Sequence, residues 1–243
     1  MRIIQVIGIE GIPEVKPGDD VAELVYRAVK EQGVSFEDGD VLVITHKIIS
    51  KAEGRVIRLD DVKPSIFAKR ISKYSGRRAE HIEVILREAR YIVRMRDGHL
   101  ITRTRHGWIC ANSGVDISNV SGGDSVVLLP RNPDRSARRI REALKRLTGK
   151  DIVVIISDTS GRPLRRGQID VAIGVAGIDP ILDLRDEEDY YGYKLRVKQV
   201  AIVDELASAA ELVIGQGKER IPAAIIRGAR YVRDEEARAK KLL

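Results

Sequence analysis

The sequence is short of the features that mark several protein classes. It has one cysteine, Cys110, so no internal disulfide can form, and no histidine stands at ligand spacing to it or to another histidine, which excludes an ordinary zinc site. Cys110 is expected as a small buried hydrophobe. No stretch approaches the roughly 20 apolar residues that cross a bilayer, and Met1-Arg-Ile-Ile-Gln-Val-Ile7 is too short and strand-like for a secretory leader. A cytoplasmic protein with no membrane partner is therefore expected. Aromatic residues are few, seven Tyr, two Phe and one Trp, which leaves little for stacking on nucleic-acid bases. Linkers and low-complexity runs are missing too, so residues 1–243 are expected to form a single domain.

What is abundant is charge. The 43 Lys and Arg outnumber the 36 Asp and Glu by seven, and the sequence pI is near 9.5. A basic RNA-associated protein is one reading of that surplus. The bases are mostly interleaved with acids, as in 145–151 and 234–241, which argues against nucleic acid and for steering a small polyanion into a cleft. Arg162, Arg165 and Arg166 suit that purpose. The charged content of 33%, with five Gln and two Met, also fits a thermophilic source.

Two runs place a carboxylate beside a side-chain hydroxyl in a glycine-containing turn: Asn112-Ser-Gly-Val-Asp-Ile-Ser-Asn119 and Ser157-Asp-Thr-Ser-Gly161. Hard divalent cations take oxygen ligands, a few from the protein and the rest from water and substrate phosphates. Asp116, Asn119, Asp158 and Thr159 have that chemistry; two ordinary turns have the same composition. The β-branched run Ile152-Val-Val-Ile-Ile156 predicts a buried strand with Asp158 at its carboxyl end, where ligand crevices open in α/β sheets. A metal-dependent phosphotransferase or phosphatase with Asp158 as nucleophile is a further reading.

Periodicity predicts the remaining elements. Strands are expected over 1–9, 41–44, 91–95, 99–104, 126–129, 167–181 and 222–226, and helices over 65–74, 79–89, 133–148 and 201–214, with a further helix capped by Asp19 or Asp20. Asp97-Gly98 reads as a hairpin turn, and Gly122-Gly-Asp124 before 126–129 echoes the turn-to-strand grammar of 39–44. Arg138, Arg139 and Arg141, opposite the apolar face of their helix, are expected in solvent, and His81 at the surface. Tyr190, Tyr191 and Tyr193 form an aromatic cluster able to stack on a planar ring or to pack.

Read together and in order, Gly11-Ile-Pro-Glu-Val-Lys-Pro-Gly-Asp-Asp20, Ile49-Ser-Lys-Ala-Glu-Gly-Arg55, the two acidic runs extended to Gly167, and Asp204-Glu-Leu-Ala-Ser-Ala-Ala-Glu-Leu-Val213 resemble the coenzyme F420-0:γ-glutamyl ligase family, archaeal members included. The resemblance covers nearly the whole chain. It implies an α+β fold, neither P-loop nor Rossmann, with two intimately packed lobes in an intertwined homodimer. No Gly-x-x-x-x-Gly-Lys-Ser/Thr run is present. The nitroreductase-like C-terminal extension that some members carry is not expected. The implied reaction is GTP-dependent ligation of L-glutamate to coenzyme F420-0, with further γ-linked glutamate, through an acyl phosphate, aided by Mg²⁺ or Mn²⁺, two per site, and K⁺.

Matched position by position, the resemblance implies metal ligands at Asp116, Asp158, Thr159 and Gln216. Gln216 falls where the family usually has Glu; its amide oxygen can ligate but brings no charge. GTP contacts are implied at Ile12, Pro13, Glu14, Val15, His46, Lys47, Lys51 and Asn119, and along Ile214, Gly215, Gln216, Gly217, Lys218, Glu219, Arg220 and Ile221. Lys51 is expected to neutralise phosphate, and Arg162, Arg165 and Arg166 to clamp the acidic acceptor through their planar donor forks.

Overall fold

The computed structural model describes residues 1–96, 98–117 and 124–243. In chain order the elements are β1 (Gln5–Gly8), α1 (Val21–Glu31), β2 (Val41–Thr45), α2 (His46–Ala52), β3 (Val56–Arg58), α3 (Ile66–Ser75), α4 (Ala79–Glu88), β4 (Ala89–Arg96), β5 (His99–Thr104) and β6 (Ile109–Ala111). There follow β7 (Ser125–Val127), α5 (Pro133–Thr148), β8 (Val153–Gly161), β9 (Gln168–Ala176), β10 (Leu182–Asp183), β11 (Gln199–Val200), α6 (Ile202–Ile214) and β12 (Ala223–Arg227). This is an α+β fold.

A five-stranded sheet in the order β1-β12-β2-β8-β9 forms the centre, and β2–β8 is its one parallel pair. Residues 41–44, 153–156 and 223–226 are completely buried, as β-branched runs covered on both faces should be. Alternation sorts them. Leu42, Ile44, Val154, Ile156 and Ile225 point to a core shared with α1, α2 and α5, while Val41, Val43, Val153, Ile155 and Ile226 meet α6 and the C-terminal segment on the other face. Helix ends follow local chemistry: Asp20 Oδ1 accepts the Ala22 and Glu23 amides to start α1, Asn132 Oδ1 accepts the Arg135 amide at α5, and Gly149 at φ +68° stops α5.

A separate cluster, including Leu59, Ile71, Ile82, Ile85, Leu100 and Leu128, packs α3 and α4 against the β4-β5-β6 sheet and the β3–β7 pair. Here three sequence expectations are corrected. His81 is 3% exposed rather than superficial, and burial, assisted by the charge of Arg77, lowers its pKa to about 4. The echo of 39–44 does not extend to architecture, because β7 pairs with peripheral β3 whereas β2 is central; Gly122 and Gly123 lie outside the described residues, as does Asp97 of the expected turn. Arg141 is not in solvent: it donates to Asp151, Glu235 and the Ile152 carbonyl, and Arg138 donates to the Ala237 carbonyl.

Candidate active site

The chain passes from β2 into α2 without a loop, so Thr45 closes the strand opposite Ser157 and His46 opens the helix. Periodicity missed α2 because it is seven residues long. Lys51 is thus in the last turn of this helix. A cleft of ≈ 850 Å³ opens where β2 ends beside the middle of β8. Its walls are 12–15, 45–48 with Lys51, 157–159 with Asp170, and 214–222 apart from Lys218. Four distant stretches therefore converge, and they carry nearly all the expected contact residues. Asn119 lies outside the described residues, and Lys218 is exposed on the 214–222 turn.

The first turn of α2 grips two carboxylates. His46, 2% exposed, sets Nε2 3.3 Å from Asp158 Oδ1 and Nδ1 3.3 Å from Ser50 Oγ. Lys47 Nζ lies 2.7 Å from Asp116 Oδ2, which ties the first acidic run to the cleft wall. One turn on, Lys51 Nζ pairs with Glu14 at 2.6 Å. The half-buried Cys110 lies close enough to Asp158 that burial and this negative charge together push its thiol pKa to about 12, which keeps it as the neutral thiol.

A register shift between Ile156 and Ser157 turns β8 at the point where β2 ends, and β8 continues with β9 as a hairpin. Asp158 therefore sits within an extended strand rather than at its end. The hairpin sets Thr159 opposite Asp170, a residue the sequence reading missed. Asp170 is 2% exposed. Its Oδ2 accepts Ser157 Oγ at 2.9 Å, and its Oδ1 accepts Thr159 Oγ1 and Gln216 Nε2, each at 3.0 Å. Burial raises its pKa and the charge of Glu211 adds to that, against the three hydrogen bonds.

Glu211, also missed, explains how Asp170 is held. Asp204, Ser208 and Glu211 share one face of α6 and latch the free edge of β9: Asp204 Oδ1 accepts the Ala172 amide at 2.9 Å, Ser208 Oγ donates to the Asp170 carbonyl at 2.8 Å, and Glu211 Oε2 accepts the Asp170 amide at 2.8 Å. This helix stripe stands in for a neighbouring strand. Its signal was visible as polar residues at i, i+4 and i+7 in an otherwise apolar helix, and as an acid in an inward register of β9. Glu211 Oε1 also accepts Gln216 Nε2 at 2.8 Å.

These bonds fix the Gln216 amide with its nitrogen on two carboxylates and its oxygen 3.1 Å from Thr159 Oγ1. The single Thr159 proton can serve either Asp170 or Gln216, which leaves a pair of lone-pair oxygens facing each other. Two oxygens about 3 Å apart form one edge of an octahedral Mg²⁺ shell. These two oxygens are of the hard type a divalent cation takes, and Asp158, one residue away, lines the same cleft with its carboxylate toward His46. Among the described residues no group of three or more His, Cys, Asp or Glu converges to hold a metal ion.

Beyond α6, Gly215 at φ +70° and Arg220 at φ +56° turn the chain, and the Gly217 amide donates to the Glu219 carboxylate at 2.7 Å. The three arginines behave differently from the lysines. Arg162 donates to the Arg166 and Gly167 carbonyls and so braces the β8–β9 turn, while Arg165 and Arg166 are exposed on it; none of the three lines the cleft.

Fold and cleft together define an α+β protein whose polar site gathers lysines, carboxylates and hydroxyl and amide oxygens without a P-loop. Residues 9–228 match the model of the family described as F420-0:Gamma-glutamyl ligase, and the chain belongs to that family. It is 48% identical over 225 residues to the coenzyme F420:L-glutamate ligase of Methanothermobacter thermautotrophicus, covering 93% of this chain and 89% of that one. Proteins of the same name from Methanopyrus kandleri and Methanocaldococcus jannaschii are 49% and 45% identical, over 90% and 94% of this chain and 86% and 89% of theirs.

Proposed function

We propose that this protein ligates L-glutamate to coenzyme F420-0, using GTP and forming an amide through an acyl phosphate. One observation carries the reading: the cleft joins Lys51, Asp158, Thr159 and Gln216 from three stretches of a chain whose 9–228 match this family. An acceptor carboxylate oxygen attacks the γ-phosphorus of GTP and GDP leaves. Glutamate's amine then attacks the acyl carbon, phosphate leaves and the amine loses its proton to solvent. Charge neutralisation and positioning supply most of the catalysis in the first step. Lys51 and Lys47 offer positive charge on one wall, and His46 orients Asp158 from its buried side. Asp158, Thr159, Gln216 and, from the neighbouring run, Asp116 are the residues that would hold Mg²⁺ or Mn²⁺, which when bound draws electron density from phosphate oxygens.

The 214–222 turn, folded around Gly215 and Gly217, allows close backbone approach to a nucleotide. Arg165 and Arg166, free of the bracing that occupies Arg162, remain available to an acidic acceptor at the cleft's outer side. The reading includes a homodimer, for which β4 leaves Tyr91, Val93 and Met95 about half exposed as apolar surface.

The test incubates the purified protein with coenzyme F420-0, glutamate and Mn²⁺, with GTP or ATP and with or without K⁺, and weighs the products. Addition of one or more glutamyl residues with GTP, and stoichiometric GDP, is the expected result. GTP hydrolysis without glutamylation, or no turnover with either nucleotide, would overturn the reading.

A further inference from the structure

A second pocket, of ≈ 350 Å³, lies apart from the cleft and shares no lining residue with it. Its lining includes Arg131, Arg138, Arg238, Lys240, His106 and Trp108. Arg131, Arg138, Arg238 and Lys240 have no ion pair with any described residue, although they line one concavity together. The one acid in the lining, Asp134, already accepts the Val175 and Ala239 amides, each at 3.0 Å. Two buried nitrogens here also lack partners, Arg138 Nε and His106 Nδ1. Arg138 spends Nη2 on the Ala237 carbonyl at 2.8 Å, and His106 Nε2 lies 3.1 Å from the Arg131 carbonyl. With Nε2 as donor, Nδ1 is left as an unsatisfied acceptor, and buried polar atoms of both kinds are rarely left without a partner.

Four cations beside the single carboxylate of Asp134 leave the concave site with a net positive charge, and an anion relieves the repulsion among them. We propose that this pocket binds a small polyanion carrying phosphate or several carboxylates, held by Arg131, Arg138, Arg238 and Lys240 against the Trp108 ring. A hydroxyl or amine donor on the ligand satisfies the remaining His106 nitrogen. The volume suits a small molecule and not a nucleotide with its base and triphosphate extended. Two sources share this chemistry, a free phosphate-type anion and the acidic tail of the acceptor.

Trp108 is the chain's only tryptophan, so its emission reads this pocket directly. Titration with inorganic pyrophosphate is expected to change that emission saturably. The affinity should fall tenfold or more in the double variant Arg131→Gln/Lys240→Gln and stay unchanged in Lys51→Ala, which lies in the other cleft. Both replaced side chains are exposed, so the variant should fold; its unfolding temperature checks this. An emission that does not respond, or a response equal in the folded double variant, overturns the proposal. Kinetics then separate the sources: a raised KM for coenzyme F420-0 with that for GTP unchanged assigns the acceptor tail, whereas both constants unchanged with pyrophosphate affinity lost assigns a free anion. The fluorescence titration requires no ligase turnover, so its failure is distinct from failure of the proposed reaction.

Discussion

Replacing Asp170 separates the cost of folding the site from the cost of using it. In Asp170→Ala three donors lose their acceptor. Thr159 and Gln216 stand where water can reach them, but Ser157 is fully buried. An orphaned hydroxyl there costs about 1–3 kcal/mol, a fall in Tm of roughly 2–10 °C for a chain of this size. Asp170→Asn keeps the volume and one acceptor oxygen. It also removes a buried charge that Glu211 opposes, which offsets the lost hydrogen bond, and Tm should stay within about 3 °C of the parent. Catalysis should not be spared. The charge-assisted bond that aims Thr159 Oγ1 is worth about 1.5–3 kcal/mol, and losing its orienting effect corresponds to about a ten- to a hundredfold fall in kcat. Thermal unfolding and GDP release are measured on the same preparations, with Asp170→Ala as the unstable reference. A folded Asp170→Asn enzyme with kcat within twofold of the parent would refute the positioning role.

Asp158→Asn should leave Tm nearly unchanged, because its 3.3 Å approach to His46 Nε2 lacks hydrogen-bond geometry, yet abolish glutamylation; normal turnover at saturating Mn²⁺ would remove Asp158 from the mechanism. Gln216→Glu sets a third carboxylate against Asp170 and Glu211, so the variant should lose Tm without divalent cations and regain more on adding Mn²⁺ than the parent does; equal Mn²⁺ shifts would contradict the proposed ligand set. His81, whose pKa falls from 6.5 to about 4 on folding, stays neutral in the fold while the unfolded chain takes up the proton first. Stability should therefore decline as pH drops through that window, by at most about 3 kcal/mol, and the decline should flatten in His81→Gln; an equally steep curve in the variant would assign it elsewhere. Arg165→Ala and Arg166→Ala should each raise the acceptor KM while leaving that for GTP alone, whereas Arg162→Ala should chiefly loosen the β8–β9 turn; three unchanged acceptor constants would eliminate the clamp.

Much of this architecture is legible from local pattern. The runs 41–44 and 152–156 announce buried strands, Asn132-Pro133 and Gly149 bracket α5, and Ser65 and Asp20 cap helices as their chemistry requires. Failures have local causes as well. The seven residues of α2 are too few to display a helical period, and His81 lies in a charged stretch whose composition hides an inward-facing position. Arg141 reads as solvated on its helix wheel, but the partners that bury it, Asp151 and Glu235, come from beyond the helix.

By itself the sequence determined the central strands 41–44, 153–156 and 223–226, the caps of the longer helices, and that Ser157, Asp158 and Thr159 bring a carboxylate and hydroxyls to one place, because each of these depends on neighbours a few residues away. Tertiary structure alone decided that Asp170 faces Thr159, that Glu211 reaches back from α6 to hold both Asp170 and Gln216, and that Lys47 meets Asp116. Those pairs depend on strand register and helix docking, and a slip of one residue in β9 would turn Asp170 to the opposite face of the sheet.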